Sequence, residues 1–186
     1  DYHEFKEIKN IRTVFWVMSK TSGNSGSLLC HPSAPHFYSN GDKFWHPKHT
    51  HEHIRNGNLR INGTKANAES IYPNKLSVVS LRTTGDVIAS RFGRDRNHGG
   101  KYNWNGEIGE LIIFSEALKD EQTEQIENHL ISKWKVMNGN ENTYGMPMAY
   151  LSFDDREGNR YPNTADITKG TRTNENNKEV EGKYGK

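Results

Sequence analysis

The chain is short of several things, and each shortage excludes something. It has a single cysteine, Cys30, so no disulfide can form within it. That suits either a cytosolic protein or a bacterial exported protein that does not rely on disulfides. Following Leu28 and Leu29, Cys30 reads as a small apolar core residue. Only 32% of the 186 residues are hydrophobic, and mean hydropathy is −0.96. A chain this polar has a thin core, as between two packed layers. No apolar run approaches membrane-spanning length, so membrane insertion is not expected. Neither sign of charge dominates: 25 Lys and Arg face 23 Asp and Glu, for a net charge of +2. Bases scattered among nearly as many acids argue against a nucleic-acid partner. The opening DYHEFKEIKN lacks the pattern of a signal peptide, so a signal serving export would lie outside this chain.

Strand and turn signals fill most of the sequence. IRTVFWVM (11–18) is β-branched and aromatic, with a continuous apolar centre, and reads as a strand buried on both faces. Asn40-Gly41 marks a hairpin, and Asn56-Gly57 and Asn62-Gly63 mark turns around a short LRI strand. KLSVVSLRTT (75–84) reads as a strand that Gly85-Asp86 turns into VIASRFG, and IGELIIFS (108–115) reads as the next one. Turns recurring at such intervals predict an all-β fold, a two-sheet antiparallel β-sandwich of jelly-roll type. One helix interrupts this pattern. Leu118, Ile126, Leu130 and Trp134 fall on a helical stripe, with acids at Asp120, Glu121 and Glu124 and bases at Lys133 and Lys135. One amphipathic helix is therefore expected near residues 119–135, lying over an edge or end of the sandwich.

TVFWVM, SLRTTGD, RFGRDRN and WNGEIGELIIFSEALKDEQTEQIENHLISKW together resemble the laminin-G-like members of the concanavalin A-like lectin/glucanase superfamily. The closest resemblance is to versions found in large bacterial surface and secreted proteins. It covers roughly residues 11–136 and is carried by Trp104, Gly106, Ile108, Glu110, Ala117, Leu118, Leu130, Lys133 and Trp134. The resemblance implies a laminin-G-like β-sandwich over residues 1–148, with Glu110 as a structural acid. The tail, 149–186, is expected to supply strands completing the same sandwich, because an unpaired Leu151-Ser152-Phe153 strand would expose an edge; the alternative is the start of a second repeat. LSFDD and EVEGKYGK in the tail resemble the opening of such a repeat, so the two chain ends read as two sides of one cut. A secreted or cell-surface location follows from the same resemblance.

Candidate chemistry is sparse. Glucanases of this superfamily place paired carboxylates on one strand, but Glu107 and Glu110 are three apart and point to opposite faces. No enzyme activity is expected. His46, His49, His51 and His53 lie within HPKHTHEH; if 49–53 is extended, the last three project from one face and could hold a transition metal. The plainer reading is a histidine-rich polar loop. No cofactor is required; calcium is the ion that a loop carrying Asp154 or Asp155 could hold. Glycan binding needs an apolar face plus fixed hydrogen-bonding groups. Two segments carry that mixture: Trp45 and His46, and a Gly-rich loop with Arg94, Asp95, Arg96, Tyr102, Asn103 and Trp104. Trp45 is the better candidate for an exposed stacking platform. Trp104 lies in the family's W-x-G turn, where packing is the ordinary role, and Arg94-Asp95-Arg96 could equally form an internal ion pair. The expected function is non-catalytic carbohydrate recognition, with a polysaccharide or glycan as partner. The alternative is an adhesive or spacer module that contacts other surface proteins.

Overall fold

A computed structural model describes residues 3–21, 23–33, 37–94, 96 and 102–136, with the backbone of 151–152, 171–173 and 179–181. Two long strands organise it. β1 (His3–Met18) and β5 (Ser77–Phe92) pair antiparallel, with Trp16 opposite Val79 and Val14 opposite Leu81. β6 (Ile108–Phe114) pairs with the other side of β1. A hairpin of β3 (Asn58–Ile61) and β4 (Thr64–Ala66) pairs with β5 through β3. β2 (Leu29–Cys30) also pairs with β5, at Phe92 and Arg91. The last strand of this sheet, β7 (Leu151–Ser152), pairs with β6. The resulting order is β4-β3-β5-β1-β6-β7, and β8 (Thr171–Thr173) and β9 (Glu179–Glu181) form a separate two-stranded ladder. The protein is thus mostly antiparallel β-sheet with few helices, an all-β fold.

The continuous apolar run of β1 is explained by two cores. Val14, Trp16 and Met18 point into one, and Phe15 and Val17 into the other. Alternate residues of a strand face opposite sides, so a strand covered on both sides has no place for polar side chains. Each large side chain sunk this way contributes roughly 1.5–3 kcal/mol of hydrophobic stabilisation. The first core is aromatic: Trp16, Phe37, Phe44, Trp45, Tyr72 and Trp104, under the segments that precede β5 and β6. The second is largely aliphatic and lies under the main helix, α2 (Asp120–Lys133).

The sequence-predicted helix forms, but it crosses the face of the central strands rather than an edge. Leu118, Ile126, Leu130 and Ile131 pack on Phe15, Val17, Val78, Ile112 and Phe114. Its first turn is closed by the Gln122 carboxamide, which accepts the Lys119 backbone N–H at 2.9 Å. There is also a second helix, the single turn α1 (Glu52–Arg55). The condition that 49–53 be extended is therefore not met, and the physical reason is capping: the His51 side chain accepts the His53 backbone N–H.

β5 runs unbroken through Gly85-Asp86, where a turn between two strands is expected from sequence. The disruption survives as a register shift against β1, between the pairs Thr13–Arg82 and Ile11–Val87. Asn62-Gly63 does turn the chain, with φ of 48° and 77°, the two positive values of a type I′ hairpin. The Asn62 carboxamide accepts the Val78 N–H at 2.8 Å, so this asparagine is engaged within the fold.

Candidate functional site

Where β1 ends, the chain passes between two loops. Ser19 N–H donates to the Glu107 carbonyl, Lys20 N–H to Pro73 and Thr21 N–H to Asn105. Gly106 makes this approach feasible: a Cβ there would lie 2.1 Å from the Ser19 carbonyl oxygen. The W-x-G element of Trp104 and Gly106 is therefore a packing device that lets the 104–107 loop sit on the end of β1.

Lys20 is carried inward by this arrangement. Its side chain is 3% exposed, and its ammonium lies 3.8 Å from the Asp42 carboxylate. It donates to the Gly41 carbonyl. It also lies 5.6 Å from the centre of the Tyr72 ring and 6.0 Å from that of Trp104, within cation–π reach. Burial lowers the Lys20 pKa, and the Asp42 charge opposes that shift. Tyr72 is stacked on Phe44 at 3.8 Å, and burial holds its phenol well above the ordinary value. Lys20 and Tyr72 line an open groove of about 510 Å³ together with Thr21, Gly23, Asp42, Ile71, Pro73 and Asn74. Ile71 is 60% exposed, the large hydrophobic residue left in solvent among the described residues. The groove therefore combines an apolar ledge with a carboxylate, a hydroxyl and a carboxamide, a set able to hold a polar ligand of moderate size.

The sequence-predicted binding residues are dispersed. Trp45 is a correction: it is 1% exposed, packed between Phe37, Phe44 and Tyr72, and offers no face for stacking a sugar. Rings distant in sequence, Phe37 and Tyr72 among them, pack around it, which its polar sequence neighbours conceal. Trp104 is buried edge-on to Tyr72 and adjoins the groove from behind, through Tyr72 and Lys20. Tyr102 and His46 come together around Tyr38, at ring separations of 5.7 Å and 5.8 Å. Asn103 bridges to Ser27. Arg96 accepts a hydrogen bond from Arg91 through its carbonyl. Arg94 is half-buried, while Asp95, Asp154 and Asp155 lie outside the described residues. Lys20, Asp42 and Ile71 went unnoticed in sequence; the available signal was an apolar Ile-Tyr-Pro step between polar loops.

The histidines divide into two pairs, His46 with His49 at 4.4 Å and His51 with His53 at 4.8 Å. His46 Nδ1 accepts the N–H groups of Lys48 and His49, and His51 Nδ1 accepts that of His53. In such a neutral ring Nε2 carries the proton and has no lone pair for a metal. Among the described residues, no group of three or more metal-ligating side chains is assembled.

Glu110 is a clamp for α2. It is 1% exposed, and its Oε2 accepts the Trp134 indole N–H at 2.6 Å and the Lys133 ammonium at 3.0 Å. The Trp134 ring lies flat over Gly109, where a Cβ would approach it to 2.8 Å. Glu107 instead accepts from Ser19 on the opposite side of the strand. The two carboxylates do not share a cleft. No helix among the described residues is long and apolar enough to cross a membrane. Comparison with known proteins finds no matching family model, no matching curated protein and no matching solved structure.

Proposed function

We propose that this chain is a non-catalytic carbohydrate-binding module of a secreted or cell-surface bacterial protein, with the groove beside Lys20 as its glycan site. The observation that carries the reading is the exposed Ile71 set among Thr21, Asp42 and Asn74 in one open groove. A sugar presents an apolar C–H face and a rim of hydroxyls, and this ledge and its polar neighbours match both. Asp42 offers carboxylate oxygens as acceptors for hydroxyls, with the Lys20 ammonium 3.8 Å behind it.

The fold proposed beneath the site is a laminin-G-like sandwich made by bending one sheet. Support comes from β5. Its first half is buried on both faces, while Val87, Ala89 and Phe92 of its second half share the aromatic core with Val79 and Leu81. The register shifts in β1 between Glu4 and Thr13 are where such a bend would fall, because bulges sharpen twist. On this reading the tail belongs to the same unit, as the pairing of Leu151 with Leu111 suggests.

The test is a titration of the chain with plant and marine polysaccharides. Saturable binding that Asp42→Ala weakens about tenfold or more, and that Ile71→Asp abolishes, is the expected result. Silence across the whole panel overturns it and favours the adhesive, protein-contacting alternative.

A further inference from the structure

The histidine-rich stretch lies over the aromatic core. Ile54 is fully buried in the same cluster as Phe44 and Trp45, and the Thr50 hydroxyl donates to the Tyr38 carbonyl at 2.6 Å. Very little regular structure holds this stretch down. It contains one helical turn, and two of the acceptors that close its turns are imidazole nitrogens. His46 Nδ1 receives the Lys48 N–H at 3.1 Å and the His49 N–H at 3.3 Å. His51 Nδ1 receives the His53 N–H at 3.1 Å, which caps α1. A third imidazole, His53, meets the Thr84 hydroxyl at 3.0 Å across the register break in β5.

We propose that the segment from His46 to Arg55 is an acid-released cover over the aromatic core, held shut by imidazoles that can accept backbone N–H groups only while they are neutral. Protonation places a hydrogen on Nδ1, so each acceptor becomes a donor facing another donor. It also sets like charges within the His46–His49 and His51–His53 pairs, whose rings are 4.4 Å and 4.8 Å apart. The charged neighbours point largely the same way. His49 and Lys48 face His46, and His53 and Arg55 face His51, each disfavouring protonation, while Glu52 alone favours it. Tyr38 is the ring packed on His46 from outside the segment, with centroids 5.8 Å apart. Burial acts with the positive neighbours, so both imidazoles titrate below the ordinary value of 6.5. The closed form is then complete above that value and is lost as pH falls beneath it. This inference is independent of what the groove binds.

Amide hydrogen exchange at Lys48, His49 and His53, followed by NMR and corrected for intrinsic rates, reads the cover directly. Protection of these amides should fall about tenfold or more between about pH 7.5 and about pH 5, while amides of β1 and β6 hold theirs. In the double variant His46→Asn, His51→Asn the carboxamides accept the same N–H groups at either pH. The acid loss should then shrink to less than about threefold. A wild-type loss under tenfold, or an equal loss in the double variant, overturns the proposal. Should that variant fail to fold, imidazole nitrogen shifts of the wild type decide instead. They must show His46 and His51 as Nε2–H tautomers at neutral pH, and Nδ1–H tautomers would refute the mechanism.

Discussion

The two faces of the central sheet are covered in different ways. Over one lies α2, a regular element whose attachment combines an aliphatic stripe with a few directed polar anchors. Glu110 holds its last turn through Trp134 and Lys133. Glu127, in its middle, accepts from Ser80 and pairs with Arg60 at 3.1 Å. Arg82 meets Asp120 at 2.7 Å and the Leu118 carbonyl at 2.6 Å. Thr13 bridges the strand-to-helix link, donating to the Glu116 carbonyl and accepting the Leu118 N–H. Over the other face lies a layer of loops, joined by single backbone hydrogen bonds and filled by stacked and edge-on aromatic rings. The comparison teaches that the helix face is fixed by specified contacts, and the loop face by the volume of its rings. It also places the groove, and the acid-labile cover, on the face with less regular structure.

The largest effect should come from removing volume on the loop face. Trp16 is 1% exposed and edge-on to Phe37, so Trp16→Ala should cost about 3–5 kcal/mol in urea denaturation. On the helix face Leu130→Ala, at 0% exposure, should cost about 2–5 kcal/mol. The loop-face variant should also disturb the groove, and the helix-face variant should not. A Trp16→Ala protein that retains full ligand binding would break the proposed division.

Glu110→Gln should have a smaller effect, about 1–3 kcal/mol. It keeps an acceptor for the Trp134 indole but loses the charge facing Lys133. Hydrogen exchange should show the last turn of α2 loosening before the rest of the sheet. Reduced stability with unchanged protection in that turn would remove the clamp from the account.

The smallest effect is the pH response of the helix face. Burial lowers the pKa of His129, aided by Lys133 and opposed by Glu110. Burial raises that of Glu127, outweighing Ser80 and Arg60. The two have opposite consequences. A histidine with a lowered pKa loses its contribution as pH falls below about 6.5, whereas a carboxyl with a raised pKa makes the fold more stable as pH falls towards its ordinary range. His129→Gln should therefore remove only part of the acid sensitivity measured by urea midpoints, and the double histidine variant of the loop face should remove more.

The same contrast explains what was legible in the sequence. α2 could be read because its stripe, acids and bases are local and periodic, and β1 because burial on both faces leaves an unbroken apolar run. The loop face could not be read in this way. Trp45 stands in FWHPKH like a surface aromatic, and only chain segments distant in sequence bury it. Lys20, directly after Ser19, resembles an ordinary solvated lysine until Asp42, Tyr72 and Trp104 close around it. The 49–53 segment could be read as an extended row or as a polar loop, because the alternation of histidines is visible in sequence and a side-chain cap from His51 is not.

The most direct test of the central claim is an NMR titration of the isotope-labelled chain with the polysaccharide that binds it best. The account predicts saturable shifts confined to residues 20–23, 41–43 and 71–74, with α2 unchanged. Shifts centred on α2, or on residues 94, 96, 102 and 103 with the groove silent, would contradict it.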